Sequence, residues 1–137
     1  MPRGPDTGYS GTPLPQKLGI KAGHRVTLLD APEGFAVDFP DGVTTRTTLS
    51  GGRSDVIVAF FTRRADFERR LPALRAHMEP AAGLWIAWPK RASKVETDMT
   101  ENVVREVALP TGLVDNKVAA IDATWSGLRL VIRLEHR

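Results

Sequence analysis

An α/β domain with a mostly parallel sheet is what the sequence predicts, and three observations carry that expectation. Asp55–Phe61 and Leu84–Trp88 are continuous apolar runs, the pattern of strands buried on both faces. A segment of helical periodicity lies between them, and a second one precedes the strand expected over 117–122. Strand, helix, strand, helix, strand implies right-handed crossovers between parallel strands, with helices covering the sheet. The final runs, Lys117–Asp122 and Leu128–Leu134, are joined by Ala123-Thr-Trp-Ser-Gly127 and read as an antiparallel C-terminal hairpin.

The chain of 137 residues, 42% of them apolar, fits one domain with a core of useful size. Residues 1–8 hold two Pro and two Gly without apolar periodicity and read as a disordered tail, leaving 9–137 as a single α/β domain. The absence of Cys excludes a disulfide scaffold, a thiolate metal site and a Cys nucleophile. Neither a leader nor an apolar run of membrane-spanning length is visible, so the expectation is a cytoplasmic protein with no membrane partner. A net charge of +3 and a pI near 9.7 invite a nucleic-acid reading. The Arg, Ala, Gly and Pro content of the chain is what GC-rich coding produces, and specific nucleic-acid binders concentrate more charge on one face.

Thr12-Pro13 resembles an N-cap followed by Pro at the first helical position, with a short helix over Pro13–Leu18 and Gly19 as its stop. Arg25–Asp30 is a first strand, ending in the turn Ala31-Pro-Glu-Gly34. The β-branched stretch Thr44–Leu49 is expected as a strand, and the short link to residue 55 suggests an antiparallel edge position. A helix over about 63–78 buries Phe67, Leu71, Leu74 and Met78, with Pro72 expected to kink or split it and Pro80 and Gly83 ending it. Thr100 is a plausible N-cap for a helix with Val103, Val104, Val107 and Ala108 on one stripe, closed by Pro110 and Gly112.

The stretch Met78-Glu-Pro-Ala-Ala-Gly-Leu-Trp-Ile-Ala87 resembles the helix–Pro-Gly-Gly–strand step of class I methyltransferases, and the closing helix, Gly112-Leu-Val and hairpin resemble that fold's C-terminal end. Tyr9-Ser-Gly-Thr-Pro-Leu14, Lys17-Leu-Gly-Ile20, Ala31-Pro-Glu-Gly34, Trp88-Pro-Lys90 and Asp122-Ala-Thr-Trp-Ser-Gly-Leu128 are similar to an uncharacterised family of small bacterial proteins, a domain of unknown function. The resemblance implies a minimal Rossmann-like, methyltransferase-like fold and supplies no activity. Where methyltransferases carry flexible glycines after the first strand, this chain has Asp30-Ala-Pro-Glu-Gly34. Leu49-Ser50 stands where an acidic residue would hold a ribose. No cofactor is therefore expected: neither S-adenosylmethionine nor NAD.

In open α/β sheets, ligands sit beyond the carboxyl ends of the strands. That rule gathers Asp30, Glu33, Trp88, Lys90, Lys94 and Trp125 as candidate ligand-binding residues. Tyr9 and Ser10 join them, as hydroxyls ahead of the first helix that close over the crevice. Lys90 supplies a charge for an anion, Trp88 a stacking wall, and Asp30 with Glu33 a carboxylate pair. Set against this, no Gly-x-Ser-x-Gly or Gly-rich Lys motif occurs, and His24, His77 and His136 have no partners at metal-ligand spacing. No catalytic or metal-binding residue is assigned. The expected function is a non-enzymatic binding or regulatory module for a small anionic ligand or a protein partner. A small enzyme using the same crevice is the alternative, and nucleic-acid binding comes third.

Overall fold

A computed structural model describes residues 12–137. Six strands form one sheet: β1 (Arg25–Leu29), β2 (Thr44–Arg46), β3 (Ser54–Phe60), β4 (Met78–Pro89), β5 (Leu113–Ala120) and β6 (Trp125–Ile132). Their order across the sheet is β2-β1-β3-β4-β6-β5. β2, β1, β3 and β4 run parallel, while β6 is antiparallel to both β4 and β5. The helices are α1 (Leu14–Leu18), α2 (Arg64–Ala76) and α3 (Glu101–Ala108). Among the described residues no helix is long and apolar enough to cross a membrane. The mixed α/β sheet with an antiparallel C-terminal hairpin is the fold class expected from the sequence.

The two buried strands divide their side chains between two faces, as period-2 geometry requires. Ile57, Ala59 and Phe61 join Leu84, Ile86 and Trp88 under α2 and α3. Val56, Val58 and Phe60 join Trp85 and Ala87 under Leu18 of α1. In place of longer helices, this second face is covered by α1 and by Phe35 and Phe39 from the loop after β1.

Several expectations are corrected. Residues 44–46, not 44–49, form a strand, and it pairs parallel to β1 rather than antiparallel. The loop after β1 returns the chain to the same end of the sheet without a helix, which makes a parallel edge possible. The strand at 113–120 is parallel to β4 in direction but is not its neighbour, because β6 is inserted between them. Pro72 lies inside one continuous helix. Its missing N–H leaves only the carbonyl of Glu68 without a helical donor, and both residues are exposed, so water satisfies it.

α2 stops at Ala76, and Met78–Ala82 already belongs to β4. The register shift between Ser54 and Val56 opposite this segment gives Pro80 a bulge, where no ladder N–H is needed. The hairpin turn also closes earlier than expected. Asp122 Oδ1 accepts from the backbone N–H groups of Thr124 and Trp125, both at 2.8 Å, so Trp125–Gly127 lies in β6. The helix start at 101 and the stops at Gly19 and Gly112 stand, both glycines in the left-handed region, while the first helix begins at Leu14 rather than Pro13. Thr100 Oγ1 accepts from Val103 N at 3.1 Å, whereas at α1 the N-cap position falls on Pro13, not Thr12.

Trp85 is the largest fully buried side chain, and its Nε1 donates to the carbonyl of Leu18 at 3.0 Å. Gly127 makes room for it: a Cβ there would meet Ile121 Cδ1 at 2.8 Å and Trp85 Cε3 at 3.0 Å. Gly127→Ala is therefore expected to destabilise the fold by about 1–3 kcal/mol, the usual range for overpacking, seen as a lower urea midpoint with unchanged m.

His77 caps α2 with its Nε2 buried and without a hydrogen-bond partner among the described residues. Burial, and then the charge of Arg46, push its pKa below the usual value. The unfolded chain then binds more protons, so the contribution of His77 is complete above about pH 6.5 and is lost as pH falls below it. The urea midpoint should drop between about pH 7 and pH 5, and His77→Phe should flatten that drop.

Candidate functional site

β1 and β3 are adjacent, yet their onward connections leave in opposite directions, to β2 on one side and through α2 to β4 on the other. That is the switch point at which α/β sheets bind ligands. A cavity of about 320 Å³ opens there. Its floor is Phe60, Phe61 and Trp125, and its walls include Asp30, Asp66, Arg69 and Arg70. The Phe60 and Trp125 rings meet edge to face with centroids 5.1 Å apart, and Phe35 meets Phe60 on its other side at 5.0 Å.

Asp30 holds the first position after β1 with φ of 58°, a left-handed conformation that costs most residues about 1 kcal/mol and that Asp tolerates better than most. Its carboxylate is exposed and makes no hydrogen bond or ion pair among the described residues. From α2, Arg69 pairs with Asp66 at 3.0 Å, whereas Arg70 has no ionic partner among the described residues. Asp66, Arg69 and Arg70 stand at i, i+3 and i+4 on α2, which puts them on one face. That spacing is visible in the sequence, but the core stripe of the same helix masks it.

The other expected site residues are distributed differently. Trp88 is 7% exposed in the core beneath α2 and α3, and it lines a separate hollow with Arg91, Val95 and Thr100 rather than the switch-point cavity. Lys90 donates its backbone N–H to Thr124 at 2.7 Å, and its charge acts on Lys17 on the α1 side. Lys17 is buried with Nζ on the carbonyl of Ala120 at 2.9 Å, and burial, then Lys117, then Lys90 lower its pKa. Lys94 is exposed in a left-handed cap after the 3₁₀ turn over Arg91–Ser93. Glu33 is exposed at the tip of the turn after β1 and does not line the cavity with Asp30. Tyr9 and Ser10 lie outside the described residues. Of the expected set, the switch point unites Asp30 and Trp125.

A second hollow at the same edge is lined by Thr62, Arg63, Glu96 and Asp98. The N-terminus of α2 faces it, the place where such folds hold anions. Here the protein supplies its own anion. Asp98 Oδ1 accepts from the backbone N–H of Arg64 at 2.7 Å, and Thr97 Oγ1 donates to the carbonyl of Thr62 at 2.6 Å. Among the described residues no group of three His, Asp or Glu is placed to hold a metal ion.

No family model and no curated protein matches the chain. Solved structures do. A SAM-dependent methyltransferase from Aquifex aeolicus aligns with a TM-score of 0.52 at 16% identity, over 85% of this chain and 87% of its own. Ribosomal protein L11 methylase from Lactobacillus delbrueckii subsp. bulgaricus gives 0.57 at 10% identity, over 87% of this chain and 74% of its own. TrmN from Thermus thermophilus gives 0.58 at 10% identity over 87% of this chain, which spans about half of that protein, 47%. The chain has a methyltransferase-like Rossmann core. At these identities the likeness is one of fold.

S-adenosylmethionine, the donor that this core implies, does not fit the residues present. The loop after β1 begins with Asp30 where close backbone approach calls for Gly, and no helix follows it. β2 ends at Arg46, whose guanidinium is committed to the carbonyls of Ser50 and Gly52, so a cation stands where a ribose needs a carboxylate. Asp98 holds the N-terminus of α2. Asp98→Ala should cost about 1 kcal/mol, as for loss of a helix cap, and should raise hydrogen exchange at Arg64 and its neighbours before it affects β3.

Proposed function

We propose that this is a degenerate methyltransferase-type domain whose switch-point crevice takes a small ligand with an anionic group and a flat apolar part. The observation that carries this reading is one cavity lined by a free carboxylate, Asp30, a cation without an ionic partner among the described residues, Arg70, and the edge-to-face pair Phe60 and Trp125. In it, Arg70 anchors the anion, the aromatic edge receives the flat group, and Asp30 accepts a hydrogen bond or a proton. The fold likeness to methyltransferases supports a small-molecule crevice, and with it a small enzyme, over a module that only docks proteins. The second reading, a binding module without turnover, draws support from a lining that has no His. Lys90 and Lys94 remain at the same edge and add positive potential to the approach of an anion.

Screening carboxylated and phosphorylated aromatic metabolites by Trp fluorescence and thermal shift tests the crevice. Arg70→Ala is expected to weaken any hit about tenfold or more, the loss of one charge-assisted bond, while the free protein melts almost unchanged. Equal binding by both proteins would sink the reading. Asp30→Asn separates the two versions: it abolishes turnover but not binding in an enzyme, and moves only affinity in a binding module. S-adenosylmethionine should show no saturation in the low micromolar range by calorimetry, on the order of −8 kcal/mol.

A further inference from the structure

The amino end of the sheet, opposite the crevice, holds a second cavity of about 250 Å³. Arg53 enters it from the start of β3, Arg75 from the last turn of α2, and His136 and Arg137 from the chain after β6. Met78 and Ile132 supply apolar surface. The side chains of the lining include three guanidiniums, one imidazole and no carboxylate. The carboxylates next in the chain are engaged elsewhere: Glu79 pairs with Arg25 at 2.7 Å, and Glu135 faces Arg133 at 3.9 Å.

Arg75 Nε is buried and has no hydrogen-bond partner among the described residues. A buried guanidinium N–H without an acceptor is rare, because it loses its water without compensation. Arg137 is held in place by its Nε, which donates to the carbonyl of Ile132 at 2.7 Å. The surrounding cations add to the local field. Burial, and then Arg137, lower the pKa of Arg129, while Arg46 acts in the same sense on His77. A cavity with this wall lacks one thing, an anion with several acceptor oxygens, and planar guanidiniums match the oxygens of phosphate two at a time.

We propose that this cavity binds a phosphate group, with Arg75 Nε donating to one oxygen and Arg53 and Arg137 closing on the others. Apolar Met78 and Ile132 leave room for a small organic remainder, so free phosphate and a phosphomonoester share the chemistry. Calorimetric titration of the full chain with inorganic phosphate, and separately with glycerol 3-phosphate, is the test. Saturable binding in about the millimolar range or tighter is expected for at least one. Tighter binding of the ester identifies an esterified ligand, and equal binding identifies the free anion; either outcome upholds the site.

Arg75→Gln should weaken binding about tenfold or more. If that variant does not fold, Arg53→Gln carries the test, because Arg53 is exposed and makes no bond among the described residues. It should weaken binding several-fold and melt like the parent. Arg70→Ala, at the crevice, should bind phosphate as the parent does. The proposal is overturned if neither probe saturates, if Arg53→Gln binds like the parent, or if Arg70→Ala abolishes binding. Binding seen only with an oligonucleotide and lost steeply with salt would also overturn it, by assigning the arginines to a nucleic-acid backbone.

Discussion

The buried hydrogen bond from Trp85 to Leu18 governs how the two sides of this sheet are built. An indole N–H inside a core must find an acceptor, and the free carbonyls at the end of α1 are what the sequence offers. α1 has only five residues and would not persist in isolation. It exists because its last turn is bonded to the centre of the sheet and Leu18 is fully buried there. The same indole dictates Gly127 on the neighbouring strand, and Lys117 of β5 reaches over the ring while its Nζ bonds the carbonyl of Lys17. One side chain thus ties together the first helix, the central strand and the C-terminal hairpin.

The chain has the frame of a methyltransferase-like Rossmann core. The parallel strands, the two helices on one face and the inserted antiparallel strand are present. On the other face, aromatic residues of a loop stand in for helical cover. That substitution removes the helix whose N-terminus follows β1 in nucleotide-type sites, and a strained Asp now occupies the turn. A carboxylate that repels phosphate and accepts hydrogen bonds changes which part of a ligand can point toward β1. In the proposed reading, the acidic group of a ligand is directed instead to α2, where Arg70 stands.

Much of the fold was legible because local rules and tertiary packing agreed. The apolar runs of β3 and β4 are buried on both faces, Thr100 caps α3, and Gly19 and Gly112 stop the elements before them. Disagreement arose where an interaction spans many residues. β2 is too short to bear a pattern and is held by pairing with β1 rather than by its own sequence. Pro72 is harmless because the carbonyl it strands faces water, a fact of position rather than of residue type. The site was half legible for the same reason. Asp30 and Trp125 follow from the rule about strand ends, whereas Trp88, at an end as well, points into the core by strand parity. Arg70 sits on a helix whose apolar stripe is the louder signal.

The carboxylate that closes the start of α2 comes from Asp98, 34 residues further along the chain. A helix whose first turn is completed by so distant a partner is stitched shut only after β4 has taken its place beside β3. The cost of closing that long loop is met by β3–β4 pairing, so the cap at α2 depends on the sheet while the sheet does not depend on the cap. The same contacts tie the opening turn of α2 to this edge: when the segment around Thr97 and Asp98 lifts, the turn at Arg64 and the mouth beside Arg63 lose their closure together.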